Sequence, residues 1–186
     1  MKKKEHMYKA ALISAIGLCA ITPTAFASDG TINFEGQIVA QTCMVGIDGQ
    51  SSTATVQLPP VAISALKLGS AQQTNFKIGL TGCEGAPKSA YAYFESGAGV
   101  DVDSGNLINT ASGANAAQGV QLQIVDGQTN APIQAGNSNQ IGGTSKIEVD
   151  GDTAQLPYGV RYFAPVAADV KEGLLTGTVT FSVAYE

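Results

Sequence analysis

Short period-two segments, each cut off by Gly, Pro, Asn or Asp, recur from Thr31 to Tyr185 and confine this chain to β-structure. Thr31 to Ala40 (TINFEGQIVA) puts Ile32, Phe34, Gly36 and Ile38 on one face and Thr31, Asn33, Glu35 and Gln37 on the other. Successive side chains of a strand point to opposite faces, so such alternation reads as a half-buried strand. The pattern returns at Ala54–Leu58, stopped by Pro59-Pro60, and at Asn75–Leu80, with Phe76, Ile78 and Leu80 in phase. Val120–Val125 alternates Val120, Leu122 and Ile124 before the turn Asp126-Gly127, and shorter strand runs lie at Ala90–Glu95, at Lys146–Val149 before Asp150-Gly151, and at Tyr158–Phe163 after Pro157. Thr176 to Tyr185 (TGTVTFSVAY) closes the series, with Val179, Phe181, Val183 and Tyr185 on one face. Evenly spaced short strands with turn residues between them predict a sandwich or barrel. Helical periodicity is confined to Val61–Leu68, enough for one or two turns, and Ser96–Gly119 reads as a long loop with weak strand character near Gly105–Ile108.

The first residues have a different character. Lys2, Lys3, Lys4 and Lys9 precede a twelve-residue apolar run, Ala10–Ile21, and Ala25-Phe26-Ala27 supplies small residues at a cleavage position. Those three parts make a secretory signal over residues 1–27. The apolar run is too short to span a bilayer, which needs about 20 residues. Cys19 follows Leu18 rather than a small residue, against lipidation at that thiol. Residues 28–186 would then be exported, with 6 basic and 14 acidic residues and no histidine, since His6 is the only one. That charge balance excludes nucleic-acid binding by phosphate neutralisation. Cys43 and Cys83 remain, and in an exported chain an even count is expected to pair. Closing that loop is worth about 4 kcal/mol in the chain-entropy picture. Two buried free thiols are the alternative.

Catalytic chemistry finds little to work with. Without histidine, and with both cysteines expected to pair, the usual nucleophile–base arrangements cannot be assembled. No phosphate-cradling glycine loop and no G-x-S-x-G motif occur. Asp101-Val102-Asp103-Ser104-Gly105-Asn106 opens like a calcium loop, but Ser112 stands where that pattern needs a glutamate, so a solvated acidic loop is expected. No enzyme, cofactor or metal site is expected.

The two ends carry the functional signal. The chain resembles structural subunits of chaperone–usher fimbriae, the type 1 pilin family. The resemblance rests on Gly30-Thr31-Ile32-Asn33-Phe34-Glu35-Gly36 ahead of Cys43, on Cys83, on Ala92-Tyr93-Phe94-Glu95 and on Gly105-Asn106-Leu107-Ile108-Asn109-Thr110. It continues with Tyr162-Phe163-Ala164, Gly173 fourteen residues from the end, and the penultimate aromatic Tyr185. The order of these landmarks carries the resemblance; none is specific alone. It implies an incomplete immunoglobulin-like β-sandwich over residues 41–186, completed by a donor strand from another subunit. Residues 28–40 would be the donor extension, with Gly30, Ile32, Phe34, Gly36 and Ile38 facing the acceptor. The acceptor groove and chaperone contact would involve Gly173, Val179, Phe181, Val183, Tyr185 and Glu186. Implied partners are identical or related subunits in a head-to-tail polymer, a periplasmic chaperone, an outer-membrane usher and a tip adhesin. The implied place is the cell surface, reached through the periplasm. Two other readings stay open: a subunit with its own glycan or host-protein patch, for which the 96–119 loop is the candidate surface, and a minor adaptor rather than a shaft pilin.

Overall fold

The computed structural model describes residues 43–67, 72–83, 85 and 88–186. The expected strand at 31–40 and the signal at 1–27 lie outside them. The elements, in order, are β1 (Met44–Ile47), α1 (Ile63–Lys67), β2 (Gln73–Thr81), β3 (Ser89–Phe94), β4 (Gln121–Asp126) and β5 (Pro132–Ile133). They continue with α2 (Gln140–Gly143), β6 (Ile147–Glu148), β7 (Ala154–Phe163), a 3-10 turn at Ala167–Asp169 and β8 (Phe181–Tyr185). One sheet runs β1-β2-β7-β4-β5 and the other β6-β3-β8, and all strand pairs are antiparallel.

Alternation decides which residues enter the space between the sheets. Ile78 and Leu80 of β2, Leu122 and Ile124 of β4, and Leu156 and Tyr158 of β7 meet Ala90, Ala92 and Phe94 of β3 in one buried cluster. Phe94 packs edge-on against Tyr158, with centroids 5.1 Å apart and planes at 88°, the arrangement that ring quadrupoles favour. The Cys43–Cys83 disulfide forms, tying the start of β1 to the residues just past β2.

Three expectations change. Ala54–Leu58 forms no strand; Val56 and Leu58 pack half-buried against the core without joining a ladder. The proline pair that ends this segment lacks N–H donors to continue one, and the Pro59 carbonyl is instead taken by the Tyr162 hydroxyl at 2.9 Å. The strand expected from Tyr158 begins at Ala154 and runs through Pro157. Lys77, opposite Pro157, directs both its N–H and its C=O to Asp48. The Lys77–Pro157 pair is therefore a non-hydrogen-bonded one, where a missing N–H costs the β2–β7 ladder nothing. The last ladder is also shorter than Thr176–Tyr185, although burial still alternates from Leu175 to Val183. Three short elements give no period of their own: β1, β5 and α2. The single helical turn inside Val61–Leu68 appears as α1.

Candidate functional site

The candidate site is the edge of β8 on which, among the described residues, no strand is paired. Its register against β3 sets Phe181 opposite Phe94, Val183 opposite Ala92 and Tyr185 opposite Ala90. Ser89 and Glu186 exchange both backbone hydrogen bonds, at 3.0 and 2.9 Å, and the Glu95 amide donates to the Thr180 carbonyl at 2.9 Å. In an antiparallel pair, hydrogen-bonded and non-bonded positions alternate. Even-numbered residues from Ser182 to Glu186 therefore spend their backbone groups on β3, as the Thr180 carbonyl does. Phe181, Val183 and Tyr185 turn theirs the other way, along the outer edge of the sheet.

The same odd-numbered residues aim their side chains toward the core, because their partners Phe94, Ala92 and Ala90 are fully buried. Yet Val179, Phe181, Val183 and Tyr185 are each only half-buried. Phe181 reaches Phe94 at 6.3 Å between centroids. Burial pushes the Tyr185 hydroxyl above its ordinary pKa. An edge with outward N–H and C=O groups over half-covered apolar side chains is the form a further strand completes. The segment leading into β8 continues this edge. Among the described residues, the amides of Gly177, Thr178, Val179 and Thr180 donate no backbone hydrogen bond.

Two other residues named from the sequence have different surroundings. Gly173 lies outside β8, in a segment that crosses residues 115–118. With φ +154, a Cβ on it would stand 2.5 Å from the Ala117 nitrogen and 2.6 Å from the Ala116 carbonyl carbon, and against the Asn115 oxygen. A crossing of two backbones explains a glycine there. Glu186 pairs its side chain with Lys146, whose ammonium sits 3.8 Å over the Tyr91 ring. The terminal residue is thus clamped to the outer face of the β6-β3-β8 sheet. Gly30, Ile32, Phe34, Gly36 and Ile38, expected from the sequence to form a donor strand, lie outside the described residues.

The other edge of β3 is closed, and nothing in the sequence announced how. Ala92 donates its N–H to the Tyr158 hydroxyl at 2.7 Å. Gln140 accepts from the Phe94 N–H at 2.9 Å and returns its own side-chain N–H to the Phe94 carbonyl at 2.9 Å. Burial drives the Tyr158 hydroxyl up to about 12, against the opposing effect of the Ala92 amide. A glutamine in a Gly- and Asn-rich loop has no periodicity by which to be found.

Elsewhere, polar groups serve the fold. The Asp101 carboxylate accepts from the Ser104 amide at 2.8 Å and hydroxyl at 2.7 Å, a local turn. These bonds hold its pKa below the ordinary value. The 96–119 loop contributes Ser96, Val102, Asp103 and Gly105 to an open cavity of about 200 Å³ completed by Gln134 and Asn137. Among the described residues no helix is long and apolar enough to cross a membrane.

By its two packed antiparallel sheets and disulfide, the molecule is an immunoglobulin-like sandwich of the pilin type. Residues 32–186 match the family described as Fimbrial protein, and the chain belongs to that family. It is similar to the F17 fimbrial protein of Escherichia coli, 33% identical over 97% of this chain and 100% of the relative. It is also similar to the major fimbrial subunit SMF-1 of Stenotrophomonas maltophilia, 36% identical over 90% of this chain and 99% of the relative. The crystal structure of the P pilus rod subunit PapA superposes with a TM-score of 0.58 over 77% of this chain and 99% of that one, at 17% identity. That likeness concerns the fold. This chain is a fimbrial subunit.

Proposed function

We propose that this subunit polymerises by donor-strand exchange and forms the shaft of a surface fimbria that supports adhesion. The reading follows from the outer edge of β8, where Phe181, Val183 and Tyr185 direct backbone groups outward above half-buried side chains. Residues 28–40 of the next subunit supply the missing strand. Ile32, Phe34 and Ile38 enter the half-covered apolar positions, worth about 5–9 kcal/mol together. Gly36 marks a position too shallow for a side chain. A slip of one residue would place Asn33 and Glu35 inside, so register is strongly specified. Head-to-tail donation does not close on itself, and it yields a filament.

The scheme orders the partners. Residues 1–27 direct export, a periplasmic chaperone holds the β8 edge first, and an outer-membrane usher exchanges it for the incoming extension. A tip adhesin stands at the end of the fibre. The shaft role is supported by relatives whose own names are major fimbrial subunit and type-1 fimbrial protein, A chain. The test is Ile32→Asp and, separately, Phe34→Asp in the full chain. Each is expected to yield chaperone-bound subunits that fold but do not assemble. Normal fibres from both would reject the assignment of residues 28–40 as donor.

A further inference from the structure

The sheet β6-β3-β8 has two edges, and strand addition is useful at only one. β6 pairs with Ser89 and Ala90 alone. Past Ala90, the same alternation that turns Phe181 and Val183 outward on β8 turns Ala92 and Phe94 outward on the opposite edge of β3. Among the described residues no strand follows here. Thr144 and Ser145 leave the sheet, and Ser145 gives its amide to Asp126 at 2.7 Å. Left alone, β3 would offer two unpaired N–H groups over a buried apolar face, a second site for a strand.

Side chains close that edge. The Tyr158 hydroxyl crosses from the opposing sheet to the Ala92 amide at 2.7 Å. Gln140 presents its carboxamide to Phe94 as a strand would present a peptide group, donating and accepting at 2.9 Å each. The Gly136 amide adds a second donor to the Phe94 carbonyl at 2.8 Å. Both caps are inside the molecule, Gln140 at 3% and Tyr158 at 2% exposure. Gln140 itself is held by a 3.2 Å bond from its side-chain nitrogen to the Asn137 carbonyl, so the loop that carries it is pinned across the edge.

We propose that Gln140 and Tyr158 are edge guards that restrict strand addition to β8 and so keep the fibre linear. The proposal rests on the donor-strand reading of β8. A linear polymer needs one acceptor per subunit; a second acceptor would branch it or cross-link neighbouring fibres.

The test compares the full chain as wild type, Gln140→Leu and Tyr158→Phe. Each is released from its chaperone into an excess of a synthetic peptide of residues 28–40, and its mass is read by light scattering after gel filtration. Leucine keeps the bulk of glutamine and lacks both hydrogen-bonding groups; phenylalanine keeps the Tyr158 ring. The wild type is expected to stop at one subunit with its peptide. Gln140→Leu is expected to take up a second peptide and so exceed the wild-type mass, with amide exchange at Phe94 faster by on the order of tenfold. Variants that hold the wild-type mass overturn the proposal. Should Gln140→Leu not fold, Tyr158→Phe decides by the same criterion at Ala92. A wild type that ignores the peptide and polymerises anyway would count against the donor-strand reading instead. The guards are then judged by oligomer mass without peptide, larger in the variants if they act as proposed and equal to wild type if they do not.

Discussion

Replacing Tyr158 by Phe removes one oxygen from the middle of the sandwich and nothing else. The ring keeps its edge-on contact with Phe94 at 5.1 Å and its tilted contact with Phe76 at 5.9 Å. What goes is the 2.7 Å bond to the amide of Ala92, a residue with no exposure at all. A buried N–H stripped of its partner costs about 1–3 kcal/mol. For a domain of this size, a loss of about 2 kcal/mol lowers Tm by about 4–8 °C. The variant carries a second signature. Tyr158 holds its proton in the folded state to about 12, against 10.0 for the free side chain. Between those values the unfolded chain gives up a proton that the folded chain keeps, so stability falls as pH rises from 10 to 12. A shift of that size corresponds to about 2–3 kcal/mol across the window. Tyr158→Phe should flatten most of this alkaline slope, leaving the smaller share of Tyr162 and Tyr185, both raised by burial. The assay is thermal unfolding by circular dichroism at neutral pH and across pH 9–12, on subunits whose β8 edge is occupied. A variant as stable as wild type at neutral pH, with an unchanged alkaline limb, would refute the reasoning.

Three further outcomes follow from other parts of the structure. Asp126 is buried in a turn, where burial opposes its charge but bonds from Ser145, Thr129 and Gln128 prevail and hold its pKa below the usual 3.8. The stability it contributes is complete above that value and is lost as pH falls through the lowered one; Asp126→Asn should cost about 1.5–3 kcal/mol at neutral pH and blunt the acid limb of a pH–stability curve. Gly173→Ala forces a Cβ into the backbone of Ala116 and Ala117, and should lower stability by more than about 1 kcal/mol, read from a denaturant midpoint. Reducing the Cys43–Cys83 bond should lower stability by about 4 kcal/mol, read as a shifted urea midpoint with and without reductant.

Much of the sandwich is legible in the sequence, because burial on one face imposes a two-residue period. β2, β4 and β8 each overlap an alternating segment, β3 and β7 an expected strand run, and Phe76, Ile78, Leu80, Leu122, Ile124, Phe181 and Val183 all contact the core as their phase implies. Elements of two to four residues are illegible for the same reason. β5 has two residues, and no period can be read from two; β6, equally short, is legible only as part of the expected run Lys146–Val149. Ala54–Leu58 shows the reverse failure: alternation brings Val56 and Leu58 to the core, but flanking prolines leave the backbone without a ladder. At the β8 edge, the odd-numbered residues were readable from their phase. The closure of the opposite edge was not. It depends on a tyrosine from the other sheet and a glutamine forty-six residues from its partner, a contact that only folding creates. Gly173 announces a constraint through its residue type, while its cause, a crossing with residues 115–117, is visible only in three dimensions.

Strand exchange at β8 is the centre of this account, and the most direct measurement is a comparison of two chains. One begins at Ser28 and the other near Gln41, both produced in a periplasm with the cognate chaperone, released, and run unboiled in SDS. The account predicts a ladder of SDS-resistant multimers from the longer chain and none from the shorter. A stable monomer from both, whether or not chaperone is present, would contradict it and mean that the sandwich needs no strand from a neighbour.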